Sequence, residues 1–402
     1  MTTETPARLP MDGQLRDRSD GTAIEEAYLP SPCVQNHAAN LMELPGGDLG
    51  CVWFGGTQEG KGDISVYFSR LGAGSGGWSE PLRLSDDPDR SEQNPILFPA
   101  PDGSLWLLHT SQHAGNQNTS VVKRRISRDG GATWGAADVL IDEAGTFVRQ
   151  PLVVLANGDW LLPCFLCRTA PGTKWLGEQD VSVLKISSDQ GRNWRDVIVP
   201  ESKGIVHMSV VPTSDGSLIA LYRSRWADSI YRSRSTDGGK TWSAPTPTTL
   251  PNNNSSIQAT QLIDGRIAVV FNNVARTAAT EQRASLYDEI DDGEPATETV
   301  DTSSRQAFWG TPRAPVTLAL SDDGGDTWRL VRDLETGDGY CLTNNSEQRL
   351  NRELSYPSIT QTRDGCVHVA FTYHRQAIKH LRIPLGAIND GRPLTEPARA
   401  TD

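Results

Sequence analysis

Nothing in this chain approaches the roughly 20 consecutive apolar residues that a membrane-spanning helix requires, so no helical membrane anchor is expected. The opening stretch MTTETPARLPMDGQLRDRSDGTAIEE has no apolar segment between a basic start and a small-residue cleavage site. It therefore does not read as a signal peptide, and a cytoplasmic location is expected. An excess of basic residues is also missing: 38 Lys+Arg stand against 50 Asp+Glu, for a net charge of -12. Nucleic acid and anionic membranes would repel such a surface, so neither is expected as a partner. Cysteine is sparse, at Cys33, Cys51, Cys164, Cys167, Cys341 and Cys366. Only CFLC at 164–167 has a spacing suited to metal or redox chemistry, and no second pair completes a zinc site. The surrounding WLLPCFLC reads as a strand with buried thiols, and neither metal nor cofactor is expected.

What the chain does have is repetition. Four octets, SRDGGATW, SSDQGRNW, STDGGKTW and SDDGGDTW, share the pattern S-x-D-x-G-x-x-W, ending at Trp134, Trp194, Trp242 and Trp328. An Asp in such a turn accepts backbone N–H groups, Gly tolerates positive φ, and Trp offers a large face to bury. The octet is therefore a structural staple rather than a source of chemistry. A second repeat runs in parallel, as Gly-bearing turns between strand-like runs, centred on Gly46, Gly103, Gly158, Gly216, Gly265 and Gly365. Six hairpins, each but the last followed by a strand pair ending at a Trp, point to an all-β fold: a six-bladed β-propeller over 28–390. Residues 1–27 read as an N-terminal extension and 391–402 as a tail. The wide interval before the last hairpin contains an acidic, turn-rich insertion at 274–312 in blade five, placed to cover a pocket.

Blade geometry brings residues at equal height on the inner strands into a ring. Counting nine positions back from each turn glycine gives His37, Asn94, Arg149, His207, Ser256 and Tyr356, with no aliphatic residue among them. Seven positions forward lie Trp53, Thr110, Phe165, Arg223, Asn272 and Thr372, with His109 and Tyr373 adjacent. Inner-strand positions are usually Val, Ile or Leu, so this polarity points to a ligand site. Asn254 in LPNNNSS, Glu353 in QRLNRELSYP and Arg375 in YHRQAIKH lie beside the ring positions. Together they suit a small-molecule or oligosaccharide ligand that is anionic or heavily hydroxylated. A metal held by His37, His109 and His207 is the weaker reading, because no H-x-x-x-H spacing supports it.

The octets, together with WFGGTQEGKGD, QNPILF, LPNNNS, ELSYPSI and AIKHLRI, resemble the sialidase superfamily, in which such octets are Asp-box repeats on a six-bladed propeller. The likeness runs over about residues 28 to 388. It implies a tyrosine nucleophile at Tyr356, carboxylate-gripping arginines at Arg223 and Arg313, and an acid/base group on the blade-one loop at Glu59 or Asp63. His37 stands where the resemblance expects a first arginine, and His207 where it expects the tyrosine's glutamate partner. A histidine takes a proton near neutral pH, so Tyr356 and His207 are the expected catalytic pair. His37, Asn94, Arg149, Arg223, Asn254, Arg313, Tyr373 and Arg375 are the expected substrate-binding residues. Three functions remain open. One is a sialidase-like glycosidase acting on an acidic or unusual sugar. A second is a uronate-type lyase with His207 as base and Tyr356 as acid. The third is a carbohydrate-binding propeller without catalysis.

Overall fold

Alternating strands, each too short and too amphipathic to bury both faces alone, stack here as six antiparallel sheets around an axis. The computed structural model describes residues 9–169, 175–283, 285–287, 289–290 and 305–389. From the axis outward, blade one comprises Gln35–Glu43, Leu49–Gly56, Ser65–Leu71 and Leu82–Arg83. Blade two follows with Ser91–Pro99, Leu105–His113, Asn116–Ser127 and Asp138–Ile141. The inner edge of blade three is split into Thr146–Val148 and Val153–Val154, ahead of Trp160–Leu166, Val181–Ser187 and Arg195–Ile198. Blade four runs through Ile205–Pro212, Leu218–Ser224, Ser229–Ser235 and Thr246–Pro251, and blade five through Gln258–Gln261, Ile267–Asn272, Val316–Ser321 and Arg329–Glu335. Blade six begins with Leu354–Gln361, Val367–Tyr373 and Ala377–Ile383.

Blade six is completed from the other end of the chain. Glu25–Tyr28 pairs with Ala377–Ile383, and Arg16–Asp17 pairs with Glu25–Tyr28. This corrects the expected boundary at residue 28, because part of the supposed extension is the outer wall of the last blade and closes the ring. EEAY is too short and too polar to announce itself as a strand; the partner strand supplies the register. The expected tail at 391–402 lies outside the described residues, as do 1–8 of the extension and 284, 288 and 291–304 of the insertion. None of the described helices is long and apolar enough to cross a membrane.

The core is distributed between neighbouring blades. Leu44, Val66, Phe68, Leu97 and Leu107 form one cluster between blades one and two, and Phe98, Trp106, Trp160 and Leu162 form another between blades two and three. The remaining interfaces repeat the arrangement, through to Ala39, Trp53, Trp78, Ala370 and Ile378 where blade six meets blade one. The octets lie between the third and outer strands, as their sequence suggested. In the first, Thr133 N donates to Asp129 Oδ1 at 2.8 Å and Gly131 N to Ser127 Oγ at 2.7 Å, and the other three repeat this network. Gly131 sits against Phe68 of the preceding blade, Gly191 against Trp106, and Gly239 against Leu184. Each octet is thus a staple to the blade before it.

Four inner strands carry an extra residue at the same height. Register shifts fall between His37 and Asn40, Gln93 and Ile96, Val206 and Ser209, and Ser355 and Ser358. At these bulges Ala38, Asn94, His207 and Tyr356 adopt left-handed backbone, with φ of 61°, 47°, 55° and 52°. One correction to the ring count follows. Gly47, not Gly46, donates back to Leu44, as Gly103 does to Ala100 and Gly365 to Thr362. The double glycine shifts blade one by a residue, so its ring member is Ala38 and His37 precedes it.

Candidate active site

Left-handed backbone at a non-glycine residue costs on the order of 1–3 kcal/mol, and such residues concentrate at functional sites. Here Asn94, His207 and Tyr356 share the bulge position, and Asn254, His374 and Arg375, with φ of 56°, 54° and 54°, lie on the loops at that end. The side chains are brought together, and they are buried. Tyr356 is 5% exposed, His207 3%, Arg223 1% and Arg375 0%.

Tyr356 is the centre of the cluster. Arg223 Nη1 donates to its hydroxyl at 2.7 Å, and the guanidinium carbons of Arg149, Arg223 and Arg313 lie 5.4, 5.6 and 5.7 Å from its ring centre. His37 and His207 flank it, with ring centres 4.3 and 5.9 Å away. Arg223 Nη1 also reaches His207 Nε2 at 3.5 Å, so the arginine bridges the expected catalytic pair. Asn254 Oδ1 accepts Arg223 Nε at 2.8 Å and orients the fork. Arg223 Nη2 and Arg149 Nη1 are buried without a hydrogen-bond partner among the described residues.

Two carboxylates anchor the other side. Glu353 Oε2 accepts Arg313 Nη1 at 3.0 Å, and its Oε1 lies 2.9 Å from Arg375 Nε. Arg375 Nη1 donates to Glu59 Oε2 at 2.5 Å, and its Nη2 approaches His37 Nε2 at 3.4 Å. Arg375, from the blade-six hairpin, thus brings a guanidinium beside His37, where the resemblance expected one from blade one. Burial opposes ionisation of Glu353, but Arg313 and Arg375 outweigh it and hold the carboxyl below its usual range. Burial also lowers the pKa of Arg149 to about 10 and of Arg223 to about 9, and no carboxylate offsets it for either among the described residues. Burial, reinforced by neighbouring guanidiniums, pushes His37 and His207 well below the ordinary imidazole value, so both are neutral near pH 7. The buried cluster therefore carries more positive than negative charge.

Two expected residues lie elsewhere. Asp63 is exposed, and its Oδ2 accepts Thr57 N at 2.8 Å, so it caps the blade-one loop while Glu59 reaches the interior. Tyr373 alternates away from Thr372 and packs edge-on against Tyr28, with ring centres 5.2 Å apart; it faces the N-terminal strands instead of Tyr356. Asn94 is buried at its bulge, its Oδ1 without a hydrogen-bond partner among the described residues. Nor does His109 join the other two histidines: it binds Glu92, which also holds Lys123. Among the described residues no group of three His, Cys, Asp or Glu is arranged to hold a metal ion.

Sequence reasoning missed the wall beside His207. Arg225 pairs with Asp180 at 2.7 Å and lies within 5.6 Å of the ring centres of Phe165, Trp175 and Trp309. Arg225 follows Arg223 by two residues, one position past the end of strand Leu218–Ser224, which is a period-two signal for a shared face. Trp309 and Tyr287, from the insertion, pack with Phe147, Phe165 and Trp175, and Asn254 Nδ2 donates to Phe308 O at 2.8 Å. The described part of the insertion therefore covers the ring of polar residues.

The profile of the BNR repeat-like domain matches residues 47–369 of this chain. No curated protein sequence matches it. Among solved structures, the Hadza microbial sialidase Hz136 is similar with a TM-score of 0.63 at 14% identity, over 88% of this chain and 66% of its own length, just under two thirds. A protein of unknown function from Dyadobacter fermentans DSM 18053 is similar with a TM-score of 0.60 at 15% identity, over 94% of this chain and 99% of its own. The intramolecular trans-sialidase from Ruminococcus gnavus, solved with oseltamivir carboxylate, gives 0.60 at 14% identity, over 88% and 95%. At these identities the likeness concerns the fold.

Proposed function

This chain belongs to the BNR repeat-like domain family, and from that premise we propose that it is a glycosidase of sialidase-like architecture acting on an acidic or unusual sugar. One observation carries the reading: the Tyr356 hydroxyl is held by Arg223 within a buried cluster whose positive charge is in excess. A phenol is a weak nucleophile, and a guanidinium on its oxygen stabilises the phenolate that forms as its proton leaves. Arg223, through its free Nη2, and Arg313 hold the substrate anion, with Arg149 adding to the positive field. Tyr356 Oη bonds to the anomeric carbon as the leaving oxygen departs, and neutral His207 accepts the phenol proton at Nε2. Water then attacks the same carbon and gives its proton to the carboxylate that protonated the leaving oxygen, and the departing Tyr356 oxygen takes its proton back from His207.

Glu59 is the carboxyl of the blade-one loop that reaches this interior, and it serves as proton donor to the leaving oxygen. To reach the leaving oxygen it must give up its ion pair with Arg375. A second reading, uronate elimination, draws on the neutral state of His207. A free imidazole lone pair among guanidiniums suits removal of the proton beside a carboxylate, with Tyr356 protonating the leaving oxygen.

A panel of uronosides and other acidic glycosides tests both. Release of a reducing sugar, lost in Tyr356→Phe, supports hydrolysis; an unsaturated product absorbing in the ultraviolet supports elimination. Sugar binding without either product, unchanged in kind by Tyr356→Phe, refutes catalysis and leaves a binding propeller.

A further inference from the structure

Buried hydrogen bonds cross the propeller axis and meet on Ser256. Arg149, at the inner edge of blade three, donates from Nε to Ser256 Oγ at 3.2 Å. Its Nη2 donates to the carbonyls of Tyr356 at 3.0 Å and Pro357 at 3.2 Å, on blade six. His207, on blade four, places Nδ1 3.1 Å from the same Ser256 Oγ. Arg149 is 1% exposed and Ser256 0%, so bulk water does not replace these contacts.

The chemistry of the donors fixes where the protons are. Guanidinium nitrogens only donate. Arg223 Nη1 lies 3.5 Å from His207 Nε2, so a proton on Nε2 would point at another N–H. The neutral ring therefore carries its proton on Nδ1 and turns the Nε2 lone pair toward the Tyr356 side of the cluster. Ser256 Oγ accepts from both Arg149 and His207, which uses its two lone pairs and leaves its own proton for the Ile257 carbonyl at 3.5 Å. Arg149 takes one lone pair of Ser256 Oγ and leaves the other to accept the Nδ1 proton, which is the direction that the bare Nε2 facing Arg223 requires. The same guanidinium, through two carbonyls, grips the backbone where Tyr356 is held left-handed with φ of 52°.

We propose that Arg149 and Ser256 are a positioning pair, a strut across the axis that holds His207 in its Nδ1-protonated tautomer and pins the strained backbone of Tyr356. The proposal rests on the reading in which those two residues do the chemistry. It gives Arg149 a task apart from gripping the substrate. It also explains why a serine stands at the blade-five ring position, where a residue as long as the arginine, histidine or tyrosine of blades three, four and six would displace the guanidinium.

The test uses the full chain labelled with 15N-histidine, with the imidazole nitrogens observed by two-bond proton correlation at pH 7. The His207 signals are identified by their loss in His207→Gln. The wild type should show His207 as one fixed tautomer with the proton on Nδ1. In Ser256→Ala and Arg149→Lys the two ring nitrogen shifts should move toward each other, and Ser256→Thr, which keeps the hydroxyl, should restore the pattern. A wild-type His207 protonated on Nε2, or an unchanged pattern in folded Ser256→Ala, overturns the proposal. Thermal melting checks folding, and if Arg149→Lys does not fold, Ser256→Ala decides alone. On a glycoside that the wild type turns over, Ser256→Ala should lower kcat on the order of tenfold to a hundredfold, with KM held within about twofold; an unchanged kcat also overturns it. If the wild type turns over no glycoside, the functional reading fails while the tautomer measurement still judges the strut.

Discussion

Five of the seven histidines are buried, and burial pushes four of them, His37, His207, His368 and His380, below the ordinary imidazole pKa, His368 to about 4. His368 and His380 show why a proton is unwelcome. Trp78 Nε1 donates to His380 Nδ1 at 3.1 Å, His380 Nε2 lies 2.9 Å from His368 Nδ1, and His368 Nε2 lies 3.2 Å from Thr362 Oγ1. Each ring needs one protonated and one bare nitrogen, and an added proton would set N–H against N–H. Unfolded, the same rings titrate near 6.5, so below that pH the unfolded chain binds more protons and stability falls as pH falls. Between pH 7.5 and 5.5 each neutral histidine removes about 1.4 kcal/mol, and the four together about 6 kcal/mol, comparable with the whole stability of many domains. Urea unfolding followed by tryptophan fluorescence at pH 7.5, 6.5 and 5.5 measures this, and His368→Gln should recover about a quarter of the loss. A midpoint that stays level or rises on acidification would refute the reasoning.

Three further outcomes are expected. Glu353→Gln leaves Arg313 and Arg375 without the carboxylate they share, and should cost about 3–5 kcal/mol in urea unfolding at pH 7. Arg223→Met removes a buried guanidinium that no carboxylate offsets among the described residues; it should leave the urea midpoint level or higher while ending sugar turnover, and a marked drop in the midpoint would contradict this. Asp237→Ala deletes the acceptor for Thr241 N, Thr241 Oγ1 and Ser235 Oγ, and should lower stability by about 1–2 kcal/mol in thermal melts without changing turnover.

The parts of the molecule legible in the sequence are those set by local chemistry. The octets announce themselves because Ser, Asp, Gly and Trp at fixed offsets close a turn by their own hydrogen bonds. The ring of inner-strand residues is legible wherever the hairpin length is constant, and fails by one position in blade one, where Gly46 and Gly47 both fit the turn. The bulges were hidden, since neither His207 nor Tyr356 marks a left-handed position as glycine would. Strand alternation separates Thr372, which binds His37 Nδ1 at 2.8 Å, from Tyr373, which faces the other way; the motif alone did not. Glu59 and Asp63 lie four residues apart on one loop, and only the loop's path decides which reaches the interior. The Asp180–Arg225 pair joins residues 45 apart through the packing of neighbouring blades.

The site and the closure of the ring share one solution. The innermost strand of each blade has a free edge toward the axis, and a buried N–H left unpaired there is costly. Side chains from adjacent blades satisfy several of these groups: Leu97 N donates to Asn40 Oδ1 at 3.0 Å, Val148 N to Thr110 Oγ1 at 3.1 Å, Ala259 N to Ser209 Oγ at 3.0 Å, Ile359 N to Gln258 Oε1 at 2.7 Å, and Leu41 N to Ser358 Oγ at 2.9 Å. Asn40, Ser209 and Ser358 stand at the end of the bulges that carry Ala38, His207 and Tyr356. The extra residue that turns His207 or Tyr356 toward the axis is thus followed by the polar side chain that fastens its strand to a neighbour. Strain at the site is held in place by contacts that also close the propeller, so relaxing a bulge would open the interface beside it.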